Sequence, residues 1–176
     1  MNAAIRRAGA GDIPRIAEIY AHHVRSGLAS FELEPPDEAE VKARYEAVAS
    51  RGFPWIVAES GGRVVGYAYA SLYRSRPGYR FTLEDSVYVD PDCTGQGIGR
   101  QLLERLLAEC LVIGCRQVIA VIGDSGNAAS IGLHRALGFE TAGTLKAVGW
   151  KFGRWVDSVL MQRALGPGDA MPPAGG

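Results

Sequence analysis

Between Val87 and Leu103 the chain reads Val-Tyr-Val-Asp-Pro-Asp-Cys-Thr-Gly-Gln-Gly-Ile-Gly-Arg-Gln-Leu-Leu. A β-branched and aromatic run halts at Asp90-Pro91. Three glycines follow at alternate positions, and an apolar helical period then begins. A strand that turns through glycines into a helix leaves a nest of unpaired backbone N–H groups at the positive end of the helix dipole. That arrangement binds phosphate or pyrophosphate. Each glycine removes a Cβ that would hold a ligand off the backbone or forbid positive φ. An ordinary strand-to-helix loop needs one or two glycines, so three at every second position favour an anion site.

Two familiar phosphate loops do not fit. A P-loop ends in Gly-Lys-Ser/Thr, whereas Gly99 is followed by Arg100 and Gln101. The dinucleotide fingerprint places its third glycine three residues after the second, and Arg100 stands there. A second segment, Gly126-Asn127 through Leu137-Gly138-Phe139, reads as a helix with Asn127 as N-cap and Gly138 at the left-handed position that stops it.

The remaining pattern predicts an α/β protein with a mixed, mostly antiparallel sheet flanked by helices. Ala4 to Arg7 is a first strand. Asp12 caps a helix bearing the stripe Ile13, Ile16, Ala17, Tyr20 and Val24. After a loop from Ser26 to Pro36, Asp37 and Glu40 form a capping box for a helix with Val41, Tyr45 and Val48 inward. Strands at Trp55 to Glu59 and Val64 to Tyr73 join through Gly61-Gly62, a two-residue hairpin turn. Thr82 to Val89 is the next strand, and a long helix runs from Gly97 to about Ile113. Val118 to Ile122 is continuously apolar, as expected of a strand buried on both faces and parallel to its predecessor. A helix at Asn127 to Leu137 and strands at Glu140 to Val148 and Trp155 to Gln162 complete one domain over residues 1–165. The Pro- and Gly-rich residues 166–176 are expected to form a flexible tail.

With 176 residues, 47% apolar and 22% charged, the chain can bury a full core. Nineteen basic residues balance nineteen acidic ones, without the basic excess that phosphate-gripping nucleic-acid binders show. No apolar run approaches the ~20 residues of a membrane span, and Met1 to Arg7 has no signal-peptide core. A cytoplasmic protein with neither nucleic-acid nor membrane partner is expected. Cys93, Cys110 and Cys115 match no paired motif, and His22, His23 and His134 have no metal-ligand spacing, so no metal is expected.

The residues Gly95-Gln96-Gly97-Ile98-Gly99 after Val87-Tyr88-Val89, with the Asn127 to Phe139 helix, resemble the two hallmarks of the GNAT superfamily of N-acetyltransferases. Thr94 departs from the Arg or Gln usual before the glycines; the backbone donors remain. The resemblance implies a GNAT fold whose sheet splays between the strands at 82–89 and 118–122 to admit the pantetheine arm of acetyl-CoA. It implies cofactor contacts at Val87, Tyr88, Val89, Gly95, Gln96, Gly97, Ile98, Gly99, Arg100 and Asn127. An oxyanion donor is expected within Val87 to Val89, where the strand would bulge.

From Ile5 to about Gln162 the chain is similar to one branch, the phosphinothricin and methionine sulfoximine/sulfone N-acetyltransferases. The likeness rests on Ser30-Phe31-Glu32-Leu33-Glu34-Pro35, Tyr73-Arg74, Glu84 to Val89, Val121-Ile122-Gly123, and Gly149-Trp150-Lys151-Phe152-Gly153-Arg154-Trp155-Val156-Asp157. That branch acetylates the α-amino group of small amino-acid analogues, and its members are homodimers. It implies Glu84 as general base; Asp85 points to the opposite strand face, and alternation alone cannot choose between them. His134 is either a proton-handling residue or a helical histidine satisfied by a hydrogen bond. Arg74 and Arg76 are candidates for the substrate's acidic groups, and Phe31 and Tyr79 for the pocket wall. Two other readings remain open: acetylation of another small amine or a protein N-terminus, and a non-catalytic acetyl-CoA-binding module.

Overall fold

The computed structural model describes residues 3–173. Seven strands form one sheet in the order β1-β2-β3-β4-β5-β7-β6. They are β1 (Ala4–Arg7), β2 (Trp55–Ser60), β3 (Arg63–Leu72), β4 (Thr82–Val89), β5 (Gln117–Gly123), β6 (Glu140–Lys151) and β7 (Arg154–Ala164). Every neighbouring pair is antiparallel except β4 and β5. The helices are α1 (Ile13–Ser26), α2 (Glu38–Ala49), α3 (Ile98–Val112) and α4 (Ala128–Ala136).

Strand alternation divides the core in two. Trp55, Val57, Val64 and Tyr67 meet Ile13, Ile16, Ile19, Val41 and Val48 of α1 and α2. Ile56, Ala58, Ala68, Ala70, Leu83, Val118 and Ala120 meet Leu102, Leu103, Leu106 and Cys110 of α3 on the other face. The β2–β3 hairpin turns as its glycines predict, with φ of +58° at Gly61 and +77° at Gly62, the positive pair a tight hairpin requires.

Three expectations are corrected. Asp12 stands at the N-cap position of α1, but its side chain makes no capping hydrogen bond there. It lies in a short 3-10 turn, Ala10–Asp12, where its carboxylate accepts from the Gly9 N–H (2.8 Å) and pairs with Arg6 (2.8 Å). β4 has no bulge, because its register against β3 is unbroken from Leu72↔Leu83 to Gly66↔Val89. β5 is not buried on both faces throughout: Val121 is 37% exposed, because the helices of the α1/α2 face reach only the β1–β4 half of the sheet. Of the expected tail, residues 166–173 follow β7 in turns, with Arg116 donating to the Gly168 and Pro172 carbonyls. Residues 174–176 lie outside the described residues, as do Met1 and Asn2. Among the described residues no helix is long and apolar enough to cross a membrane.

Leu106 is fully buried under the sheet. Leu106→Ala should lower the unfolding free energy by about 2–5 kcal/mol, read from urea denaturation, with the far-ultraviolet spectrum of the folded protein unchanged.

Candidate active site

The site begins where two strands part. β4 and β5 pair over only four positions, Thr82↔Gln117 to Asp85↔Ala120, although β4 continues to Val89 and β5 to Gly123. The Thr82 carbonyl and the Asp90 N–H both bond to β3. Alternation therefore turns the main-chain groups of Val87 and Val89 toward the gap that β5 has left. His23 donates from Nε2 to the Val89 carbonyl at 2.8 Å. Burial holds the His23 pKa below its ordinary value, so the ring is neutral and keeps this one N–H for Val89.

Beyond Val89, Asp90 anchors the turn. It is buried, accepts from the Asp92 N–H at 3.1 Å, and pairs with Arg15 and Arg63. Gly95 and Gly97 take φ of +73° and +79°, and Gly97 is the N-cap of α3. The Gln101 N–H bonds to the Gly97 carbonyl. The amides just before it are the orphan donors of a helix start. A Cβ built on Gly95 would meet nothing within 4 Å, whereas one on Gly99 would press Leu133 of α4 at 3.4 Å. The first glycine opens the cradle; the third brings α3 and α4 together.

The gap and turn form one groove of about 670 Å³. Of the expected cofactor residues, Val87, Tyr88, Val89, Gly95, Gly97, Ile98, Gly99, Arg100 and Asn127 line it; Gln96 does not. The Arg100 guanidinium is held by Glu104 at 2.8 Å, which leaves its main-chain N–H as the group facing the turn. Asn127 caps α4 by accepting from the Ser130 N–H. The loop after α1 closes the outer wall through Gly27, Leu28 and Ala29. It lies so close to β5 that a Cβ on Gly123 would stand 2.1 Å from the Leu28 carbonyl oxygen. An elongated groove with amide donors at its mouth, apolar walls and an unpaired strand edge inside fits a nucleotide with a long amide-bearing arm.

Glu84 and Asp85 separate as alternation requires. Glu84 shares the α1/α2 side with its cross-strand partners Ser71 and Ile119. Burial first, and the charge of Asp85 second, raise its carboxyl above the ordinary range, while Arg74 pulls the other way. Arg74 is exposed and stacks over Tyr73 at 4.8 Å. Tyr79 packs edge-on against Tyr73 at 5.9 Å and shares with it a cavity of about 270 Å³ that Ile119 and Leu160 also line. Arg76 is exposed at the start of the Pro77–Tyr79 turn. Phe31 wedges against Gly149, where any Cβ would lie 2.2 Å from its ring. Its loop is fixed at Ser30, which accepts from Lys151 Nζ at 2.7 Å through its carbonyl and meets the Tyr20 hydroxyl at 2.9 Å.

His134 does not sit on the groove wall. It closes a smaller recess at the inner end, lined also by Asp85, Ser86, Val87, Ala120 and Ser130. Its Nε2 lies 3.0 Å from Asp85 Oδ2, and its Nδ1 donates to the Ser130 carbonyl at 2.8 Å. Sequence reasoning missed this pair and the His23 contact. A signal for the pair was present, since Asp85 shares a strand face with Leu83, and a carboxylate on a buried face needs a partner.

A sheet opened between two parallel strands, with an anion turn at its mouth, is the framework of an acyltransferase that draws on a coenzyme A thioester. The sequence model of the acetyltransferase (GNAT) family matches residues 16–139, and the chain belongs to that family of enzymes. It is 59% identical over 162 residues to a phosphinothricin N-acetyltransferase of Alcaligenes faecalis, covering 92% of this chain and 82% of that protein. It is 44% identical to an L-methionine sulfoximine/L-methionine sulfone acetyltransferase of Pseudomonas paraeruginosa, covering 98% and 100%. A crystal structure of a GNAT superfamily phosphinothricin acetyltransferase from Sinorhizobium meliloti in complex with AcCoA superposes with a TM-score of 0.97 at 48% identity, covering 100% of this chain and 95% of that one.

Gly97→Val places a β-branched residue at positive φ in the turn. Left-handed backbone costs roughly 1–2 kcal/mol for such a residue, so titration calorimetry should show coenzyme A binding weakened by about tenfold or more. Unchanged affinity would remove the turn from the binding site.

Proposed function

We propose that this protein moves the acetyl group of acetyl-CoA to the α-amino group of a small amino-acid analogue whose side chain ends in a phosphinyl, sulfoximine or sulfone group. The names of the relatives support that acceptor class. The observation that carries the reading is a juxtaposition on β4: a half-buried carboxylate at Glu84 on one sheet face, and an open main-chain edge three residues later at Val87.

Acetyl-CoA supplies the activated thioester; the chain does the rest. The amides of residues 95–100 are the donors for its phosphates, and the open edge of β4 at Val87, with the Val89 N–H, pairs with its amide arm. The Val87 N–H is also a donor for negative charge developing on the acyl oxygen, fixed in place before that charge appears. An α-ammonium must lose a proton before its nitrogen can attack, and Glu84 accepts that proton. Its raised pKa makes it a stronger base than an exposed glutamate. Arg74 stands beside Glu84 with paired donors suited to a carboxylate, phosphinate or sulfone. Attack is direct. Cys93, half-buried in the groove wall, forms no acyl-enzyme.

We further propose a homodimer in the cytoplasm. The β5–β7–β6 half of the sheet presents Val121, Leu145, Trp150, Phe152 and Trp155, with Trp155 64% exposed. A second copy covering this face would wall the acceptor side of Glu84. Sedimentation should give twice the chain mass, and Trp155→Glu should return it to one.

A thiol-release assay over a panel of amines tests the acceptor class: turnover with methionine sulfone but not spermidine supports it, and binding of acetyl-CoA without turnover of any amine overturns it. Glu84→Gln should lower the rate at pH 7 by about a hundredfold and recover part of it at higher pH, where free amine is plentiful. The same variant should unfold at no lower temperature. A carboxyl with a raised folded-state pKa loses stability as pH rises through that pKa, so ionised Glu84 costs stability at pH 7. Arg74→Ala should raise the KM for the acceptor by about tenfold or more, as loss of a charge-assisted contact implies, and leave the acetyl-CoA KM almost unchanged.

A further inference from the structure

Asp85 and His134 are buried together, 6% and 4% exposed. Their hydrogen-bond geometry determines where protons must lie. His134 Nδ1 faces the Ser130 carbonyl, which can only accept, so Nδ1 carries a hydrogen. With that tautomer set, a second proton must lie between Nε2 and Asp85 Oδ2; otherwise a lone pair and a carboxylate oxygen would oppose each other at 3.0 Å. With the proton present the pair is neutral as a whole. Without it, a bare carboxylate remains in a space shut off from water. The other carboxylate oxygen, Oδ1, is buried and has no partner among the described residues. Asp85 and His134 both line the recess, which shares Val87, Asn127 and Ser130 with the cofactor groove.

We propose that Asp85 is a positioning residue for acyl transfer: it fixes His134 in the doubly protonated form, so that the ring lining the recess carries positive charge where the thioester sulfur takes on negative charge. This inference rests on the acyl-transfer reading above. Loss of the pair's proton removes the ring's positive charge from beside the leaving sulfur and opposes its departure, so turnover depends on His134 staying doubly protonated.

Few other charges bear on the pair. Glu84 precedes Asp85 but projects from the opposite sheet face. From α3 the nearest titratable group is the Cys110 thiol, whose burial raises its pKa and keeps it uncharged. The Tyr88 phenol projects, like Glu84, from the opposite sheet face, where it packs on Tyr20 and Tyr67 and is held neutral by burial. β5 contributes only Gln117 to Gly123, with no ionisable side chain, and the neighbouring core residues Val159, Met161 and Phe139 carry none. Burial of the ring opposes its charge, but the Asp85 contact outweighs burial and raises the His134 pKa.

The test is Asp85→Asn. An amide can donate to a neutral Nε2, so the ring loses its reason to hold the second proton. Nitrogen-detected NMR should show His134 titrating above the ordinary histidine range in the parent chain, and about one to three pH units lower in the variant. In steady-state assays the alkaline limb of kcat should move down with it. At pH 8 the variant should lose about tenfold in kcat, yet be close to the parent at pH 6, with the acetyl-CoA KM little changed. Adding Asp85→Asn to His134→Gln should cause no further loss, because Asp85 acts through the ring; Asp85→Glu should restore part of the parent profile. An unshifted NMR titration overturns the proposal. So does a uniform loss of kcat at every pH, the signature of a purely structural role. The titration needs no acceptor, so absence of turnover with every amine would count against the proposed function and leave this result readable.

Discussion

Everything the site does depends on β4 and β5 parting after Asp85 and Ala120. Inside a protein an unpaired backbone N–H or carbonyl is costly, so a buried strand edge persists only when something else takes its place. Here the substitution is partial. His23 takes the Val89 carbonyl, and the Val87 groups remain for a ligand. The neighbours hold the strands apart. The loop after α1 presses against Gly123, and Asp124 then turns the chain at φ +69°, so β5 leads away from β4 into the cap of α4. Close approach of α3 also matters: a Cβ on Gly66 would come within 3.0 Å of the Tyr88 carbonyl and 3.1 Å of Leu102.

The same short strand separates two kinds of charge. Glu84 lies half-buried on the α1/α2 side, where burial raises its carboxyl above the ordinary range. Asp85 lies one residue on and on the other sheet face, in hydrogen-bond contact with His134. Two adjacent carboxylates on one face would each raise the other's pKa and blur both roles. Period-two alternation removes that conflict at no cost in chain length.

Much of this was legible in the sequence for local reasons. The strand Thr82–Val89, the Gly61-Gly62 hairpin, the Asp37 and Asn127 caps and the glycine turn are all set by residues within four positions of one another. What escaped reading depends on contacts across the fold. Asp12 has the composition of a cap, but Arg6 on β1 is close enough to claim its carboxylate. Val121 has the composition of core, but no helix covers its face of β5. His134 meets Asp85 across 49 residues of sequence, and His23 meets Val89 across 66. A bulge was expected to free the strand edge; divergence of the neighbouring strand frees it instead. Gln96 was counted with its loop, but groove-lining depends on which way each residue of a tight turn faces, and spacing does not encode that.

The two halves of the site are built from different materials. The cofactor half is mostly backbone: glycine conformations, a helix start and a strand edge, all fixed by the sheet and α3. Side chains can change there with little effect, which is why Thr94 can stand where a longer polar residue is usual. The proposed acceptor half would draw mostly on side chains of connections: Phe31 on the loop after α1, Arg74 and Tyr79 on the β3–β4 link, and the exposed aromatics of the β6–β7 hairpin. Connections of this kind tolerate change far better than the elements they join. Under the proposed function, a shift of acceptor between a phosphinate and a sulfone would need no alteration of the groove, and the chemistry common to both would stay with Glu84 and the open edge of β4.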